Sequence, residues 1–121
     1  MFAFISVAAA YSNGTEWLNQ CISYIQQNIG YVDEFTKRNT PKIKVVRPQA
    51  SYLVWFDCKV LGLSQAQLNS FFVDDAGLAL NDGEIFGKEG IGYMRLNVGS
   101  PRATLVKAMN CLKAAYDKRG F

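Results

Sequence analysis

An α+β fold, a small mixed or antiparallel sheet layered with helices and preceded by a long helix, follows from three features of the 121-residue sequence. Apolar residues recur at three- and four-residue spacing in long stretches, and β-rich runs fall in pairs between them. Turn and break signals at Ser12-Asn13-Gly14, Pro41, Pro48 and Gly77 separate the elements. The resulting order is helix, strand pair, helix, strand pair, helix, without an internal repeat, and the length suits one domain.

Phe2 to Tyr11 reads as a short helix, rich in alanine and apolar on nearly every side, and is expected to be buried against something larger. From Thr15 to about Arg38, the apolar residues Leu18, Cys21, Ile22, Ile25, Ile29, Val32 and Phe35 mark a second helix. Asn13 or Thr15 can cap its start and Pro41 forbids continuation. At about 1.5 Å per residue this helix runs roughly 35 Å. Ile43 to Arg47 and Ser51 to Cys58 are β-rich runs divided by Pro48, the second apolar on both faces and therefore central. Ser64 with Gln67 forms a capping box and Leu63 with Leu68 a hydrophobic staple, which open a helix that stops before Gly77. Leu78 to Asn81 and Gly92 to Val98 are the next strands. Ser100 as N-cap and Pro101 at the first helical position then open the last helix, with Leu105, Ala108, Met109, Leu112 and Tyr116 along one stripe.

In the strand around Arg95, alternation turns Tyr93, Arg95 and Asn97 to one face and Met94, Leu96 and Val98 to the core. An arginine so placed is either simply exposed or holds a carboxylate or phosphate by a two-point fork. Gly83, Gly87, Gly90 and Gly92 let the preceding loop turn tightly or approach a ligand. Their spacing does not follow the dinucleotide-binding GxGxxG order. Tyr52, Trp55 and Phe56, large and apolar in a central strand, read as core.

Composition excludes other classes. A formal charge of +3 comes from lysines and arginines scattered among acids, so it points to neither nucleic acid nor an anionic membrane. Glu89 to Leu96 echoes the RNA-recognition consensus, but Glu89 replaces its basic residue and Ile91 and Leu96 replace stacking aromatics. Met1 to Tyr11 lacks a basic leader region and is too short to span a bilayer. Cys21, Cys58 and Cys111 are odd in number and far apart, and without any histidine they complete neither a zinc site nor a Cys/His nucleophile. Reduced thiols in a cytoplasmic protein are the expectation.

Two segments carry a resemblance: Leu80-Asn81-Asp82-Gly83-Glu84-Ile85-Phe86-Gly87, and Arg95-Leu96-Asn97-Val98-Gly99-Ser100-Pro101-Arg102. With Ile43 to Asp57, they make the chain resemble the C-terminal small domain of fold-type-I pyridoxal-phosphate enzymes. It is similar to the cystathionine β-lyase-like C–S lyases, grouped with class I/II aminotransferases. The likeness runs from about Phe2 to near Tyr116 without an evident gap. It implies that Arg95 grips the α-carboxylate of a cystathionine-like amino-acid substrate and that Asn81, Asp82, Gly83 and Phe86 line the substrate entrance. It also implies that the lysine bound to pyridoxal 5′-phosphate lies in a larger domain upstream.

Eight lysines are present, and none stands in the family's cofactor motif. Lys88, beside Glu89 in a wet turn, is expected to stay protonated. The expectation is therefore a chain shortened at its N-terminus, with no catalytic, cofactor-binding or metal-binding residue of its own and no covalently bound cofactor. Residues 1–14 would form an interdomain helix and residues 15–121 the small domain. The expected function is that of the carboxylate-binding domain of a C–S β-lyase, inactive alone, with an aminotransferase as the alternative. From a different class, a stand-alone interaction module would self-associate through the apolar first helix.

Overall fold

Gly14 separates the first two helices in the computed structural model, which describes Met1–Phe121. Helix α1 spans Phe2–Asn13 and α2 spans Thr15–Asn39. A Cβ at Gly14 would lie 2.4 Å from the Ala10 carbonyl oxygen, so only glycine lets the chain pass this close. Neither expected cap forms: Gly14 occupies the capping position without a side chain, and the Asn13 amide donates back to Ala9 O. Helix α1, expected to pack against something larger, is not covered within these 121 residues. None of its residues is buried, and Phe2 and Phe4 are 87% and 83% exposed. Its apolar residues surround the helix, so no single face is turned to α2, and no other part of the chain covers it.

Only the second half of α2 enters the core. Ile29 and Val32 are buried and Ile25 and Phe35 pack at the margin, while Leu18 and Ile22 remain exposed. The helix ends at Asn39, with Thr40 as its C-cap directly before Pro41.

The four strands are β1 (Lys44–Val46), β2 (Leu53–Asp57), β3 (Asn81–Asp82) and β4 (Tyr93–Asn97), in the order β1-β2-β4-β3. All pairs are antiparallel, and β2 lies between β1 and β4 as its apolar character requires. Val54, Phe56, Met94 and Leu96 point into the core, and Trp55, Tyr93 and Arg95 point the other way. Each strand is shorter than its β-rich run. The largest departure is at Leu78 to Leu80, which is not a strand, because Leu78 N donates to Phe72 O and closes the preceding helical segment instead. Tyr52, expected in the core, lies outside β2 and is 45% exposed.

Helix α3 (Gln65–Ser70) begins with the expected capping box: Gln67 N donates to Ser64 Oγ at 3.3 Å and Ser64 N to Gln67 Oε1 at 2.9 Å. It continues into a wider π turn over Phe71–Asp75, which brings Phe71 and Phe72 inward; the Phe72 ring stacks on Phe56 with centroids 6.3 Å apart. Each such buried ring contributes about 1.5–3 kcal/mol. Ser64→Ala is expected to destabilise the fold by about 1 kcal/mol through loss of the cap, readable in a urea titration.

Helix α4 spans Arg102–Arg119, beginning one residue later than expected, and Ser100 makes no capping bond. A tertiary partner takes the role: Arg102 N donates to the Tyr24 hydroxyl of α2 at 2.6 Å. Leu105, Met109, Leu112 and Tyr116 are buried along the expected stripe, with Ala108 at its margin. The result is an α+β fold with α2, α3 and α4 layered on one face of a four-stranded antiparallel sheet and α1 standing apart from it. No helix is long and apolar enough to cross a membrane.

Candidate functional site

Sheet register assembles the site on the face away from the helices. Arg95 pairs with Trp55 on one side and with Asn81 on the other. Its guanidinium lies over the Phe86 ring, 4.2 Å from its centroid, and 5.9 Å from that of Trp55, so it packs against one side of the two touching rings. Arg95 Nη2 donates to Asn81 Oδ1 at 3.2 Å. Arg95 Nε is buried and has no hydrogen-bond partner. Such an unpaired donor costs about 1–3 kcal/mol. The guanidinium is therefore fixed by its neighbours, and its terminal nitrogens, with the one bond to Asn81, are the part that can meet a planar anion.

The aromatic neighbours support one another. Trp55 meets Phe86 edge to face at 5.4 Å and Tyr93 at 6.2 Å. The Tyr93 hydroxyl accepts a hydrogen bond from Lys59 Nζ at 3.3 Å. Beside these rings lies an open cavity of about 370 Å³ lined by Val46, Trp55, Phe86, Tyr93, Glu89 and Gly90.

Of the residues singled out in the sequence, Asn81 and Phe86 meet Arg95, whereas Asp82 and Gly83 turn into the body of the loop. Asp82 accepts from Gln65 Nε2 and Asn69 Nδ2 at 2.5 Å each and from Glu84 N at 2.8 Å, which ties the loop to α3. Desolvation pushes the Asp82 carboxyl up, but the bonds from Asn69, Glu84 and Gln65 together outweigh it and hold the group below the usual carboxylate value. Its charged form is thus stabilised by folding. That contribution is fully present above pH 4 and is lost as pH falls through the lowered folded value. Acid titration of wild type against Asp82→Asn is expected to show a shallower loss of stability below about pH 4 in the variant. Parallel curves would refute this.

Gly83 is buried against the backbone of Gly90, and each glycine sits where a Cβ on the other would clash. Phe86 is 49% exposed, so a ring that covers the arginine remains open to solvent on its other side. Lys88 is exposed, and no lysine of the chain is buried. All three cysteines are free; desolvation, with a smaller effect from neighbouring Asp57, raises the Cys58 thiol so that it stays protonated and unreactive.

Trp55 and Tyr93 were not identified as site residues from the sequence. Alternation placed Tyr93 beside Arg95, and the same argument applied to β2 would have turned Trp55 outward. Asn28 was also missed. Fully buried, it donates to Val98 O and Ser100 O at 2.8 and 3.0 Å and accepts from Arg102 Nε at 2.8 Å, so it locks the end of β4 against α2 and α4. A lone asparagine on a helical stripe is the only sequence signal for it.

No protein-family model matches the chain. It is 40% identical over 116 residues to the cystathionine β-lyase PatB of Bacillus subtilis, an alignment covering 96% of the chain and 30% of that protein. It is 30% identical over 109 residues to the protein MalY of Escherichia coli, covering 90% of the chain and 28% of the relative. Among solved structures, cystalysin of Treponema denticola, which contains pyridoxal 5′-phosphate, matches with a TM-score of 0.87 at 29% identity, covering 91% of the chain and 28% of cystalysin. The chain thus spans less than a third of the length of these relatives.

Proposed function

Because the chain belongs to the fold-type-I pyridoxal-phosphate enzymes, corresponding to the C-terminal domain of cystathionine β-lyases and related aminotransferases, we propose that it binds the substrate α-carboxylate in a C–S β-lyase. The observation that carries this is Arg95, packed on Phe86 beside Trp55 and steadied by the one hydrogen bond from its Nη2 to Asn81. A carboxylate matches that planar fork, and desolvation by the rings strengthens the pairing. Asp82 and Gly83 shape the loop that brings Phe86 over the guanidinium. Holding the carboxylate fixes the orientation of the α-carbon, and orientation accounts for a large share of such rate gains.

The chain's own residues do not suit covalent attachment of the cofactor. Seven lysines are exposed, and Lys113 is half-buried and engaged with Asp117, so none offers a desolvated amine. In this reading the cofactor is held by another part of the enzyme, against which residues 1–14 pack as an interdomain helix. The reaction is β-elimination from cystathionine or a related cysteine conjugate, giving a thiol, pyruvate and ammonia.

A holoenzyme carrying this domain should accumulate pyruvate without an added keto acid. Strict dependence on that acceptor would replace the lyase reading with aminotransfer, for which Arg95 would serve equally. The 121-residue chain alone is expected not to turn over substrate with added cofactor, and turnover would overturn that assignment. With α1 uncovered, the chain alone is also expected to self-associate through that helix, and a strict monomer in light scattering would count against it.

A further inference from the structure

Gln65, the first residue of α3, joins the two segments that hold Arg95 in place, and the inference drawn from it rests on the carboxylate-binding reading. Its half-buried side-chain amide has both donors and an acceptor engaged. Nε2 donates to Asp82 Oδ1 at 2.5 Å and to Tyr93 O at 3.4 Å, and Oε1 accepts from Gly92 N at 2.8 Å. Gly92 is buried at the entry to β4, and Tyr93 opens that strand on the same face as Arg95. Asp82 belongs to the other segment. It closes β3 next to Asn81, which pairs with Arg95, and its Oδ1 caps the short 3₁₀ helix Gly83–Phe86 by accepting from Glu84 N at 2.8 Å. That helix carries Phe86 over the guanidinium.

One amide therefore fixes both the strand that supplies Arg95 and the loop that covers it. Asn69, the other side-chain donor to Asp82, reaches the loop alone. The chemistry also singles out an amide. A carboxylate there has no proton to donate to Asp82, and an ammonium or guanidinium has no lone pair for the Gly92 N–H.

We propose that Gln65 is a positioning residue for the carboxylate site: without touching substrate, it sets Asn81 and Phe86 against Arg95 and so aims the guanidinium at the α-carboxylate. The test is a double-mutant cycle in a holoenzyme carrying this domain, with cystathionine as substrate, pyruvate release as the readout and Tm taken on the same samples. Gln65→Met keeps an unbranched side chain of similar length and removes the amide. It is expected to lower kcat/KM by roughly ten-fold or more where Arg95 is present, since small misplacements of a binding group are costly. In the Arg95→Met background the same change should cost less than about two-fold, while Tm falls in both backgrounds. Gln65→Glu keeps the acceptor for Gly92 N and loses the donors, so it supplies a second cycle, with the same non-additivity expected, if the methionine variant does not fold. Equal factors in the two backgrounds would make Gln65 a structural residue only and overturn the proposal, leaving the carboxylate reading standing. An unchanged kcat/KM in Arg95→Met itself would overturn both.

Discussion

Arg95→Met is expected to lower kcat/KM of a holoenzyme carrying this domain by about 10²- to 10⁴-fold, as follows when one partner of a desolvated charge pair is removed. The same change is expected to leave the fold as stable as before or more so. Methionine keeps an unbranched apolar stem against Phe86, and it removes a buried Nε–H that has no partner. The Asn81 side chain it leaves behind is exposed and can be hydrated. Arg95→Lys should recover little, because an ammonium keeps the charge but loses the planar fork and the stacking on Phe86. Activity and stability therefore move apart, and steady-state kinetics with thermal melts on the same samples would show it. If activity fell only in proportion to a loss of folded protein, Arg95 would be a structural residue and the carboxylate assignment would fail.

The largest effect on stability is expected at Gly83. A Cβ there would sit 2.1 Å from Gly90 O and 2.5 Å from Tyr93 O, both backbone atoms that move only with the loop. Gly83→Ala should cost about 3 kcal/mol, at the upper end of overpacking. For a domain of this size that lowers Tm by roughly 10–15 °C. Gly30 provides the control, since a Cβ there meets nothing within 4 Å and its place inside α2 favours alanine. Gly30→Ala should hold or raise Tm. Equal melting temperatures for the two variants would show that the loop relaxes freely and that its back-to-back glycines do not fix Phe86.

Local signals were legible where one segment supplies both the pattern and the partner. The Ser64–Gln67 capping box, the α4 stripe and the alternation around Arg95 each depend on residues within a few positions, and each formed as read. What α1 packs against lies outside this reading, because apolar content shows what a helix can bury and not which partner covers it. The start of α4 depended on Tyr24, 78 positions away, whose hydroxyl accepts the Arg102 N–H that Ser100, read as the N-cap, was expected to satisfy. At the site, Arg95 stood out as a charge inside a strand. Its clamp did not, since Trp55 meets it only through the β2–β4 register, which is a property of the folded sheet. Asp82 shows the reverse: it lies in a distinctive motif, yet its oxygens are taken by Gln65 and Asn69, one turn apart on a short helix that had to form first.

The exposure of α1 sets the size of the cooperative unit. A helix that buries no residue shares little of the core's free energy, so in monomeric chains it frays in its own equilibrium and not with the sheet. Amide exchange should be fast through residues 2–13 and slowest in β2, β4 and the middle of α4. Calorimetry near 60 °C should then return an enthalpy of about 75 kcal/mol, the value for residues 15–121, and not the roughly 85 kcal/mol of the whole length.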